Sequence, residues 1–189
     1  MSNVQMPNVI IKPKDQSAPK EHPAQAEIRK AAVEIDEGRW IPDPHSDETA
    51  IDDLGIQAAI ESLLDSWSEI SLVKYELHLS PEESPREMRL PKAVETTLYR
   101  VLQETLTNVV RHAEAHKVGV ILNISEEVAT MIVEDDGRGF DAHGPDIERT
   151  PARRLGLLGI RERLALVGGT LEIESSPGQG ATLFIRIPI

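Results

Sequence analysis

Two short stretches of alternating apolar and polar residues, Val118 to Ile124 and Ala129 to Asp135, are joined only by the tight Ser125-Glu126-Glu127 turn. Alternation at period two gives each strand one apolar face, and so short a connection makes the pair antiparallel. A sheet built on this hairpin needs something to cover one side of it. The flanking sequence supplies that cover. Asp53 can cap a helix carrying Leu54, Ala58, Ile60, Leu63, Leu64 and Trp67. Leu72 to Leu79 reads as a strand and Ser80 to Pro85 as a loop. Pro91 opens a long helix to about Ala113, with Val94, Leu98, Val101, Leu102, Leu106, Val109 and Val110 along one side. After Asp135 come a polar loop from Gly137 to Arg154 and a helix from about Leu157 to Leu166. Strands Thr170 to Glu174 and Ala181 to Ile187 then flank Pro177-Gly178-Gln179-Gly180. The order αβαββαββ predicts a two-layer α/β sandwich: a mixed, mostly antiparallel sheet with its helices on one face.

The first fifty residues hold six prolines and few large apolar side chains, so 1–50 reads as mostly disordered. Ile28, Ala31, Ala32 and Ile35 give residues 24–37 the spacing of a short helix, and Trp40-Ile41-Pro42-Asp43-Pro44 breaks any regular element. Residues 51–189 are expected to form one domain.

Composition narrows the chemistry. The 189 residues include no cysteine, which excludes disulfides, thiolate metal sites and a thiol nucleophile. Acidic residues outnumber basic ones 32 to 20, for a net charge of −12, which points away from nucleic acid. No apolar run approaches the roughly 20 residues that span a bilayer. The N-terminus lacks the layout of a signal peptide, so a soluble, cytoplasmic chain is expected. In that compartment the Asn123-Ile124-Ser125 sequon is idle. Only residues 151–189 reverse the charge, with three acids against five arginines, and they favour any bound anion.

Four segments could carry chemistry. Glu104, Asn108 and Arg111 form one stripe of the long helix, well over 100° from its apolar side at ~100° per residue. Such a stripe is either a solvated face or a carboxylate and carboxamide able to hold Mg²⁺, with an arginine for phosphate oxygens. In Glu134-Asp135-Asp136-Gly137-Arg138-Gly139-Phe140, Asp135 continues the row of Met131 and Val133. A carboxylate there must face a cavity or a partner, and a purine's exocyclic amine is a suitable donor. The alternative is an ordinary Asp-Gly turn. Gly156-Leu157-Leu158-Gly159 precedes a predicted helix, so its backbone N–H groups and Arg161 and Arg163 suit an anion, unless it is only a flexible entry. Gly178-Gln179-Gly180-Ala181-Thr182 alone reads as a hairpin.

As an ordered set within about eighty residues, these segments resemble the N, G1, G2 and G3 boxes of an ATP-binding domain. Histidine kinases, gyrase-type topoisomerases, Hsp90 and MutL proteins share that domain, known as the Bergerat or GHKL fold. The resemblance runs from about Asp52 to the C-terminus. The wording of residues 98–113, of Gly156 to Arg163, of Gly168 to Ser175 and of Ile51-Asp52-Asp53-Leu54-Gly55-Ile56 is similar to one branch. That branch is the sensor histidine kinases that pair with NarL-type response regulators. The resemblance implies ATP and Mg²⁺ as cofactors. It implies that Glu104 is the catalytic residue and reaches the metal through water, and that Asn108 ligates Mg²⁺. Arg111 and His112 would steady phosphate oxygens, and Asp135 would accept from the adenine amine above Gly137 and Gly139. Residues 141–155 would be a mobile lid, Gly156, Leu157 and Gly159 its hinge and phosphate contacts, and Thr182 would lie near adenine.

The branch phosphorylates a histidine followed by an acid on a dimerising hairpin. None of the six histidines here (His22, His45, His78, His112, His116, His143) precedes Asp or Glu, and residues 1–50 cannot supply two heptad-like helices. The expectation is therefore a catalytic module, monomeric in isolation, acting on a histidine supplied in trans or by a missing hairpin. A stand-alone serine kinase of the anti-sigma type and a non-catalytic ATP-binding module are the alternatives.

Overall fold

The hairpin that constrains the sequence lies at the middle of a five-stranded sheet. The computed structural model describes residues 51, 55–80, 90–142 and 151–189. In chain order the elements are α1 (Ile56–Ser71), β1 (Lys74–Ser80), α2 (Lys92–His112), β2 (Lys117–Ile124), β3 (Val128–Asp135), α3 (Pro151–Leu166), β4 (Thr170–Ser175) and β5 (Ala181–Pro188). The strands lie in the order β1-β2-β3-β5-β4. β1 and β2 run parallel, with α2 as the crossover that such a pair requires, and the other pairs are antiparallel. The mixed sheet and the order αβαββαββ are as the sequence predicts.

Alternation decides which way each strand faces. Val118, Val120, Leu122 and Ile124 of β2, Ala129, Met131 and Val133 of β3, and Ala181, Leu183, Ile185 and Ile187 of β5 are buried. They join one core with Ile60, Leu64 and Trp67 of α1, Leu98, Leu102 and Leu106 of α2, and Ile160 and Leu164 of α3. All three helices therefore cover the same face. α2 has no glycine or proline inside it and carries Glu95 in its first turn and Arg111 and His112 in its last, a charge order that suits the helix dipole. β1 is fastened to α1 by the Tyr75 hydroxyl, which donates to Asp65 Oδ1 over 2.5 Å. That bond is the main reason the Tyr75 phenol is pushed up to about 12. Lys117 Nζ lies 2.8 Å from Glu76 and holds that carboxyl below its usual range.

Two expected boundaries move. α1 runs on to Ser71, and Leu72 ends it in the left-handed region (φ 60) with its N–H on Ser68 O, so β1 starts at Lys74. α3 starts at Pro151, six residues before the expected Leu157, which places Gly156 as well as Gly159 inside the helix. Each interior glycine costs ~1 kcal/mol relative to alanine. Packing of Leu157, Ile160 and Leu164 into the core outweighs that cost. Residues 1–50 with the helix expected at 24–37, the Asp53 cap, most of the loop from Ser80 to Pro85 and residues 143–150 of the expected lid lie outside the described residues.

Candidate functional site

On the helical side of the sheet α2, the end of β3, α3 and β5 line an open cleft. α2 contributes Thr105, Asn108, Val109 and His112, spaced so that they share one helical face, and Ala113 follows. Asp135, Gly139 and Phe140 form the opposite wall, with Leu157, Ala181 and Leu183 closing the rest. Most of this lining is apolar, and its few polar groups sit at separate points, as in a site for a flat ligand with a polar rim.

Asp135 ends β3 on the core side of the sheet, opposite Ala181 of β5 and Val118 of β2. Its Oδ1 accepts the Gly137 N–H at 2.9 Å. A side chain at Gly137 would come within 2.7 Å of that same oxygen and 2.8 Å of Ala113 Cβ, so glycine is required there for the turn to close. Gly139 (φ +60) and Gly180 (φ +71) are left-handed, and a Cβ on either would collide with the carbonyl oxygen of Ser176 or of Asp135 respectively. Ser175 ties the two loops together, its Oγ accepting from Phe140 N at 2.9 Å and donating to Gly180 O at 2.7 Å. Gly178 N adds a 2.6 Å bond to Arg138 O. The β4–β5 turn thus holds the loop that presents Asp135 and Phe140.

The two other polar residues of the Asp-Asp-Gly-Arg run are structural. Asp136 Oδ1 accepts the N–H groups of His116 and Lys117 at 2.7 and 2.9 Å. Arg138 Nε donates to His112 O at 2.7 Å and pairs with Glu114 at 3.3 Å, capping the end of α2.

The stripe on α2 divides. Arg111 is exposed, as a solvated face requires, whereas Glu104 and Asn108 are half-buried beneath α3. A Cβ on Gly156 would lie 2.5 Å from Glu104 Oε1 and 3.2 Å from Asn108 Nδ2. Gly156 therefore leaves room for the Glu104 carboxylate and the Asn108 amide to lie against α3. Asn108 Nδ2 is buried and has no hydrogen-bond partner among the described residues. An unmet buried donor costs ~1–3 kcal/mol, and a ligand oxygen would recover it.

One expected site residue is displaced. Ala181 and Leu183 line the cleft, and Thr182 between them pairs with Glu134 and Glu174 on the other face. A shift of one residue along a strand exchanges faces, so Ala181 holds the place expected of Thr182. Leu157 and His112 line the cleft, while a Cβ on Gly159 would meet only Arg163 Nη1, at 3.4 Å, among the described residues. Sequence reasoning passed over Thr105, Phe140, Ala181, Leu183 and Ser175. The alternation of β5 was enough to find Ala181 and Leu183.

Residues 93–189 match the model of the histidine kinase-, DNA gyrase B-, and HSP90-like ATPases, and the chain belongs to that family. Among curated relatives it is 29% identical over 140 residues to the signal transduction histidine-protein kinase/phosphatase DegS of Bacillus subtilis, a match over 74% of this chain and 36% of DegS. It is 33% identical over 141 residues to the oxygen sensor histidine kinase NreB of Staphylococcus carnosus, covering 75% of this chain and 38% of NreB. The chain thus spans little more than a third of either relative. The histidine kinase domain of the Erythrobacter litoralis blue-light activated kinase superposes with a TM-score of 0.54 at 18% identity, covering 87% of this chain and 90% of that one, a likeness of fold.

Proposed function

We propose that the chain is the ATP-binding catalytic module of a two-component sensor histidine kinase. It would pass the γ-phosphoryl group of ATP to a histidine on a separate or missing hairpin, in the cytoplasm where ATP and response regulators of the NarL type are found. The observation that carries this reading is the pairing, in one cleft, of the Asp135 carboxylate with the buried Asn108 Nδ2, which has no partner among the described residues and lies under Gly156. Adenine presents a flat apolar ring and an amine to such a wall. The triphosphate would extend toward α2 and α3, where Arg111 and His112 supply positive or donor groups.

The donor set suits magnesium. Among the described residues no group of three or more acidic or histidine side chains gathers. Mg²⁺ with a nucleotide needs only one or two protein ligands, because phosphates and waters complete its shell. Turning the Asn108 amide end for end would aim its carbonyl oxygen into the space its Nδ2 now faces. Glu104, on the same stripe, would hold a metal-bound water and orient the incoming imidazole. When bound, the ion would neutralise charge building on the transferred phosphoryl group. Asp135 would fix the base, the apolar wall would exclude water, and Glu104 would hold a proton at its carboxylate. Positioning, not covalent chemistry, is then the protein's contribution.

Calorimetry with ATP, with and without magnesium, tests the site. Asp135→Asn is expected to weaken ATP by ~1–3 kcal/mol, and unchanged affinity would remove the adenine assignment. Asn108→Ala is expected to abolish magnesium-dependent transfer to a separately expressed histidine hairpin, and an active variant would contradict the metal role. Acid lability of the labelled product identifies phosphohistidine, whereas an acid-stable product would indicate a hydroxyl acceptor.

A further inference from the structure

The face of the sheet turned away from the helices carries an apolar row. Strand register sets His78, Ile121, Ile132, Phe184 and Glu172 side by side across β1, β2, β3, β5 and β4. Ile121 is 41% exposed, Ile132 and Phe184 are half-buried, and none of the three belongs to the core. The neighbouring rows differ in charge. One holds Glu76, Gly119, Glu134, Thr182 and Glu174; the other holds Ser80, Asn123, Thr130, Arg186 and Thr170.

We infer that this face packs against the same face of a second copy of the chain, about a two-fold axis along the Ile121–Ile132–Phe184 row. Rotation about that axis lays the apolar row on its counterpart and each flanking row on the opposite one. Arg186 of one copy then stands over Thr182 of the other, with Glu134 and Glu174 on the adjacent strands ~4.8 Å to either side. The contact is made twice, as an isologous interface requires. Gly119, with open space where a side chain would stand, receives Asn123. In the single chain Arg186 reaches Glu172 only at 3.6 Å, and both side chains are more than half exposed, so it is available to turn outward. Packed sheets cross at about 30°, which offsets the outer strands most and keeps β2, β3 and β5 in register.

Area and charge set the strength. Five strands at ~4.8 Å and about seven residues at ~3.3 Å give a face of roughly 550 Å² per copy. Two such faces reach about 1,100 Å², just above the ~1,000 Å² of a specific interface. A net charge of −12 opposes the approach. The same rotation brings the Glu172 of each edge strand towards its twin. The sheet crossing offsets that like-charge contact and screening over ~8 Å at physiological salt weakens it, which leaves the two Arg186 contacts to dominate. The result is a weak dimer in place of the monomer expected from the sequence. Its nucleotide clefts stay open on the opposite side of each sheet, so the association does not depend on the proposed function.

Sedimentation equilibrium of the full chain at physiological salt tests this. The expected result is a monomer–dimer equilibrium with Kd on the order of tens of micromolar. Ile121→Lys, at an exposed position that leaves the core untouched, is expected to raise Kd at least ~10-fold. Arg186→Glu alone and the pair Glu134→Arg with Glu174→Arg are each expected to weaken self-association. An equal mixture of those two variants restores a heterodimer of near wild-type affinity, because each then offers the charge the other lacks. Circular dichroism melts verify that every variant is folded. A wild-type chain that stays monomeric at hundreds of micromolar, a dimer indifferent to Ile121→Lys, or a mixture no tighter than its parts would each overturn the inference.

Discussion

α2 and α3 face one another across the cleft, and their sequences are of different kinds. α2 runs 21 residues with no glycine, and Val101, Leu102 and Leu106 within it are wholly buried. α3 carries Gly156 and Gly159, leaves Leu155 and Leu158 66% and 46% exposed, and from residue 155 onward buries only Leu157, Ile160 and Leu164. The first helix is held by many apolar contacts and presents Asn108 and His112 at fixed positions. The second, among its described side chains, is held by three buried residues. Residues that must stay put are on the helix with the deeper anchorage, and the element that covers them is the less stable one.

Replacing one leucine in each helix tests this most severely. Leu106→Ala is expected to cost ~2–5 kcal/mol in chemical denaturation, as buried leucines do, and Leu158→Ala no more than about 0.5. Equal losses would erase the distinction. The glycines separate next. Gly156→Ala introduces a methyl against Glu104 Oε1, the far end of a flexible side chain that has to swing aside, and is expected to cost up to ~1 kcal/mol. Gly159→Ala meets only the flexible tip of Arg163 and is expected to stabilise by up to ~1 kcal/mol, measured by the same denaturation. A Gly156→Ala that stabilises as much as Gly159→Ala would mean that Glu104 does not lie against Gly156 in solution.

The elements were legible because each strand alternates and each helix has an apolar side, so the pattern carried its own geometry. Where reading failed, the deciding interaction was distant in sequence. Nothing in Leu72 announces a left-handed helix end, a conformation glycine usually fills. Gly156 and Gly159 argue locally against a helix, and the packing of Leu157, Ile160 and Leu164 into the core explains why one forms through them. The inward position of Asp135 was legible because it continues an apolar row, a signal internal to its own strand. Thr182 was misplaced because family wording outranked alternation: Ala181 and Leu183 both read as inward, which leaves Thr182 outward. Ser175 could not be found at all, since its two bonds join loops 35 and five residues away.

The core reaches further back along the chain than the family motif. The match begins at residue 93, yet Ile60, Leu64 and Trp67 of α1 are fully enclosed, and Ile51 ahead of that helix is 2% exposed. A recombinant fragment cut at the motif boundary would strip one flank of α2 bare and favour clumping over folding. Any expression boundary that keeps the nucleotide cleft intact has to lie upstream of Ile51.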